Sequence, residues 1–142
     1  ISVLPAAAIA ALTTAQTAAL STAAVSGLST AQVAGMTADQ INALSSTQIS
    51  ALSSDQLAVI SSANFDLLST GDIAAINSGA IAGLSTAIIA SLTREQIAAI
   101  SASAVAGLST AQVSAMTADQ VDALTSTQIA ALSSRQISGL TS

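Results

Sequence analysis

One eight-residue phrase runs through the chain without slipping, and it restricts the available folds more than any other feature. Residues 29–60 read STAQVAGM TADQINAL SSTQISAL SSDQLAVI. Counted from the Ser or Thr, the frame is Ser/Thr, a small polar residue, a variable residue, Gln, Ile or Val, a variable residue, Ala or Gly, and Leu or Met. Position eight is Leu, Ile or Met in every unit from Leu4 to Leu140. Position five is aliphatic or Phe except at Thr17, and position one is Ser or Thr except at Pro5 and Asn77. Such a chain is a repeat array, in which each unit is stabilised by its neighbours rather than by one globular core.

The phrase contains a helix start. Ser or Thr with Gln three residues later is a capping box: the hydroxyl accepts from an unpaired N–H of the first turn, and the Gln side chain reaches back to the cap N–H. The Leu before the cap and the Ile at position five supply a hydrophobic staple. Pro5 departs mildly, because Pro suits the position after the cap better. A continuous helix does not fit. At about 100° per residue, an octad drifts roughly 80° per unit, so Ile and Leu would spiral around the rod. The heptads of a coiled coil are missing. The sequence therefore predicts an all-α repeat solenoid with one capped helix of about six residues per octad. A helix that short is unstable alone and must stack through positions five and eight, with Ala or Gly at position seven permitting close approach. Roughly two to four octads per superhelical turn satisfy the pattern. The alternative is a β-solenoid, since Ile, Val and Thr favour strands. Against it, the large apolar positions lie three apart rather than two, Ala dominates the remainder and Gly is sparse.

Residues 1–142 read as a single octapeptide array, with two longer features inside it. Residues 21–60 align with 101–140 without a gap, with 26 of 40 positions identical, which points to duplication of a ten-octad block. Between the copies, octads 61–92 lose the Gln, with Asn64, Asp72, Ala80 and Ile88 in its place. That stretch also holds Phe65, Gly71 and Gly79, and is the expected irregular segment. The chain opens on Ile1, Ser2, Val3 and Leu4 and closes on Thr141 and Ser142, both mid-unit. It reads as a slice of a longer array whose open ends favour end-to-end association.

Composition narrows function mainly by exclusion. The chain is 51% hydrophobic but only 6% charged, with a net charge of −5 and Arg94 and Arg135 as its only basic residues. That balance lacks the basic footprint that nucleic acid or anionic lipid requires. Mean hydropathy is high, at +0.73, yet a spanning helix needs about 20 predominantly apolar residues. The longest such stretch here, Val3–Leu12, is interrupted by Pro5, so no membrane span is expected. It also lacks the basic start of a signal peptide and keeps the octad frame. With no Cys, disulfides and Cys-ligated metals are excluded. A coat of Ser, Thr, Gln and Asn in place of charge leans towards a secreted repeat protein.

Little in the sequence carries chemistry. With neither His nor Lys, the many serines have no usual base to activate them, so no catalytic residue is expected. Asp39, Asp55, Glu95 and Asp119 occupy position three, inside the predicted first turn, where a carboxylate meets the positive end of the helix dipole. Asp66 and Asp122 fall at position six on the predicted solvent face. No calcium-loop pattern is present, and neither a metal nor a cofactor is predicted. Phe65, Met36 and Met116 fill core columns. The candidate contact residues are position-two hydroxyls: Thr14, Thr22, Thr30, Ser46, Ser54, Thr70 and Thr110. Stacking would align them into ladders able to match an ordered surface such as ice or a polysaccharide, or a protein ligand, unless they are simply solvated.

The phrases LSTAQV, TADQINAL and SSTQISALSSDQ resemble the tandem octapeptide tracts, of the style LTTAQIAAL, of very large bacterial proteins. The resemblance covers essentially the whole chain and supplies no catalytic residues; octads 61–92 depart from it. It implies a secreted or surface-exposed, adhesin-like bacterial parent protein. The expected role is a non-catalytic, extended spacer or stalk at the bacterial cell surface, with a surface- or partner-binding module as the alternative.

Overall fold

Each octad turns its chain direction as soon as one short helix is complete. A computed structural model describes residues 3–140; the partial units at Ile1, Ser2, Thr141 and Ser142 lie outside it. Among the described residues there are sixteen α-helices and one 3-10 helix, in the order of the octads, and no strand. The first helix is Ala6–Ala10 and the last Ser134–Leu140, and most are five residues long. The all-α expectation holds and the β-solenoid is not the fold.

The corner follows from backbone preferences. In octad 37–44 the cap residue Thr37 is extended (φ −74°, ψ 162°), the helix covers Ala38–Asn42, and Ala43 stays right-handed (φ −83°, ψ −9°). Leu44 then closes the last turn by donating its N–H to the Ile41 carbonyl at 3.2 Å. No residue takes a positive φ among those described. The helix stop therefore needs no left-handed glycine, which is why Ala serves at position seven as well as Gly.

The helices stack three octads apart. Ala6–Ala10 packs on Thr30–Ala34, Thr14–Ala18 on Ala38–Asn42 and Thr22–Ser26 on Ser46–Ser50, and the same spacing brings Thr110–Ser114 against Ser134–Leu140. One superhelical turn is thus three octads, or 24 residues, within the range the sequence allows. Positions five and eight point inward and form one continuous aliphatic core along the axis. Ile49, Leu57, Phe65, Ile81 and Ile89 are fully buried. Thr17, the exception at position five, is also fully buried and donates its hydroxyl to the Thr13 carbonyl at 3.0 Å. Its polar atom is satisfied within its own turn, so the core tolerates it. In the segment 61–92 the helix Ser62–Phe65 has four residues and octad 77–84 forms the 3-10 helix Ile81–Gly83.

Position seven meets position two of the turn beneath. A Cβ on Gly83 would lie 2.0 Å from the Ser54 carbonyl oxygen, and one on Gly107 would lie 2.2 Å from that of Ser78. Both obstacles are backbone and cannot swing aside. A Cβ on Gly79 would meet only the Asn77 side chain, at 3.4 Å. Gly83→Ala and Gly107→Ala should each destabilise the chain by about 1–3 kcal/mol. Gly79→Ala should leave the urea midpoint nearly unchanged.

Candidate functional site

The most elaborate polar site recurs along the array wherever Gln stands at position four, and is centred on that Gln. A five-residue helix leaves most of its N–H and C=O groups without partners inside the helix. The capping box satisfies the first end: Gln40 N–H donates to Thr37 Oγ1 at 3.2 Å, and Thr37 N–H donates to Gln40 Oε1 at 2.8 Å. Complete boxes form in octads including those of Gln48, Gln56, Gln96, Gln112, Gln120 and Gln128.

The other end of the same amide serves the turn below. Gln40 Nε2 donates to the carbonyls of Ile9 at 2.9 Å and Leu12 at 2.7 Å, which close octad 5–12. Gln48 repeats this on Thr17 and Leu20, and Gln56 on Val25 and Leu28. Gln112, Gln120, Gln128 and Gln136 do the same, each placing 2.7 Å bonds on Leu84, Leu92, Ile100 and Leu108 respectively. Each Gln therefore clips a helix start to a helix end four octads earlier. The clipping glutamines are 5% exposed or less, and among the described residues no fully buried side-chain nitrogen or oxygen lacks a partner. Glutamine suits the place because one neutral group supplies acceptor and donor at opposite edges. Glu lacks the donor and brings charge into a buried site, and Ser or Thr is too short.

The capping half was legible from S/T-x-x-Q; the clip was not, because it joins residues about 30 apart in sequence. The signal available was that Glu never stands at position four, where a cap alone accepts it as readily as Gln. Exceptions follow the same logic. Among the described residues no turn lies beneath Gln16, which caps Thr13 and is exposed. Asn77 makes the clip from position one: its Nδ2 donates to Ser50 and Leu52 carbonyls at 3.0 and 3.3 Å, while Oδ1 accepts from Ala80 N–H. Asp72 caps Ser69 through Oδ2 and accepts from Ser46 Oγ through Oδ1 at 2.9 Å.

The candidate ladder residues lie at the first helical position of their octads. Thr14, Thr22, Thr30, Ser46, Thr70 and Thr110 are exposed, and Ser54 is half-buried. The three-octad turn distributes them over three faces: Thr22, Ser46 and Thr70 on one, Thr30 and Ser54 on the second, Thr14 and Thr110 on the third. Asp39, Asp55, Glu95 and Asp119 are exposed in first turns, and Asp66 and Asp122 are exposed at position six. Among the described residues no cluster of three or more His, Cys, Asp or Glu is placed to hold a metal. An open recess is lined by Arg94, Glu95, Ala98, Asp122 and Ala123. No described helix is long and apolar enough to cross a membrane.

The corner also decides the family. The family model of the ALTTAQ repeat matches residues 9–46, 65–102 and 96–126, well over half of the chain. The chain belongs to the ALTTAQ repeat family. No curated protein and no solved structure matches it. Here the six letters stand literally at Ala11–Gln16. They span positions seven, eight and one to four, which is the helix stop, the corner and the clip residue.

Replacing a clipping Gln of the ALTTAQ array should cost more than replacing a capping one. Gln48→Ala should destabilise by about 2–4 kcal/mol, combining a lost cap with buried carbonyls left unpaired, whereas Gln16→Ala should cost about 0.5–2 kcal/mol; urea unfolding compares them. Gln48→Glu places a carboxyl against those carbonyls, so burial should raise its folded pKa above the unfolded value of about 4.3. Its protonated form alone can donate. The variant should therefore regain stability relative to the parent as pH falls from 7 towards 4, and lose it as pH rises.

Proposed function

We propose that this ALTTAQ array is an extended structural spacer or stalk in a large secreted bacterial surface protein. The observation that carries this reading is the recurrence of one structural corner along the array. The buried position-four glutamines, with positions five and eight, hold turn to turn. A repeat family whose recurring phrase is its own structural joint supports a non-catalytic repeat region. A neutral hydroxyl and amide coat in place of charge suits exposure outside the cell, where no specific counter-charged partner is needed for solubility.

The duplication supports a spacer over a face-specific binder. Ten octads amount to three turns and one octad, so the copy of Thr30 at Thr110 lies on a different face of the solenoid. Length was extended while facial pattern was not. The second reading, a surface- or partner-binding module, draws on one observation: Thr22, Ser46 and Thr70 fall on one face at consecutive turns. Ser46 already donates to Asp72, which breaks the regularity a lattice-matching ladder would need. In the same reading, end-to-end association would bring Ile129 and Ile137, 41% and 44% exposed, against the Leu4, Leu12 and Leu20 end of a second copy.

Excision of residues 85–108, one full turn, should leave a folded helical array, shorter by one turn in small-angle scattering. The parent chain should not sediment with chitin, cellulose or ice. Sedimentation with any of them, abolished by Thr22→Tyr, Ser46→Tyr and Thr70→Tyr together, would replace the spacer with the ladder binder.

A further inference from the structure

Clips do not join every pair of turns equally. Octads 109–140 sit on octads 77–108 through four of them, from Gln112, Gln120, Gln128 and Gln136. Octads 61–92 sit on octads 29–60 through one, from Asn77 to Ser50 and Leu52. At the other three places the residue is Asn64, Asp72 or Ile88. Among the described residues, no donor from the upper turn reaches the carbonyls of Met36, Leu44 and Ile60, the equivalents of those that Gln clips elsewhere. What replaces the clips is largely apolar, with the Gly83 backbone lying close on that of Ser54 at one point of the plane. Ile88 and Ala80 are buried at position four, 4% and 2% exposed, and Phe65, the one aromatic residue, is fully buried just above the junction. Asp72 adds a single cross-turn bond, from Ser46.

We propose that the contact between octads 29–60 and octads 61–92 is a built-in hinge, a plane along which two firmly clipped blocks part and re-close. Two physical differences support it. Apolar contact is non-directional and tolerates sliding and tilting, whereas each clip fixes distance and orientation. Carbonyls without a protein donor also gain hydrogen bonds from water when the plane opens, so opening restores part of what it costs. The hinge belongs to the array itself and holds whether the chain is a spacer or a binder. In a uniform solenoid, units near the middle are the best protected and the ends fray. The hinge reverses that order at the middle.

The absence of Cys makes a clean test. Ile60→Cys and Leu108→Cys each place a thiol at a buried position eight, 4% and 6% exposed in the parent, the first under the hinge and the second under the Gln136 clip. Under native conditions the thiol at position 60 should react with a disulfide reagent faster by about tenfold or more. Adding Ile88→Gln supplies the missing clip over position 60, and should slow that thiol without changing the one at position 108. Equal labelling of the two thiols, or no effect of Ile88→Gln, overturns the proposal. Native-state hydrogen exchange on the unsubstituted chain gives an independent reading. Amides of octads 61–92 should exchange faster than those of octads 93–116, and a protection maximum at 61–92 contradicts the hinge.

Discussion

The structure depends on how a helix of five residues disposes of its unpaired backbone groups. An α-helix leaves four N–H groups at its start and four C=O groups at its end, so in a five-residue helix the ends outnumber the middle. Long helices tolerate this by placing their ends in water. Here the carbonyls of positions five and eight lie under the next turn, beside a core of Ile and Leu, where an unpaired group is costly. The Gln amide resolves both halves at once, accepting from one helix start and donating to one helix end. Without it, close stacking of such short helices would strand a carbonyl at every corner.

The other regularities follow from that contact. Three octads per turn place a helix end beneath the start of the helix four octads later, which sets the reach the side chain must span. Position seven comes against position two of the turn below, most tightly at Gly83 and Gly107, where even a methyl group would strike backbone, while Val59 and Leu67 at the same position turn outward to solvent. Acids gather at position three because it faces solvent beside the positive end of each helix. The low charge of the chain matches an architecture held by neutral hydrogen bonds and aliphatic burial, with little for ion pairs to add.

Much of this was legible in the sequence because its causes are local. The caps, the start and stop of each helix, and the core columns at positions five and eight all depend on residues within one octad. The frame alone could place Phe65 and Met36 in the core. The number of octads per turn was not legible, because a repeat shows what each unit buries without showing which unit buries it. For the same reason Gln40 read as a cap only, since its partners at Ile9 and Leu12 belong to another turn. Asn77 read only as an exception at position one; its side chain also takes over the clip that Ala80 cannot make. The seven position-two hydroxyls could be named but not assigned to faces until the turn was known.

The most direct test of the clip is solvent exchange of the Gln side-chain amide protons, resolved by nuclear magnetic resonance. Gln40, Gln48, Gln56, Gln112, Gln120, Gln128 and Gln136 should show strongly protected Nε2 protons, because each donates to buried carbonyls of the turn below. Gln16 caps its helix in the same way with no described turn beneath it, and in this chain its Nε2 protons should exchange at the rate of a free amide. If all seven exchange as fast as Gln16, the amides serve as caps alone and the turns are held together by the aliphatic core without them.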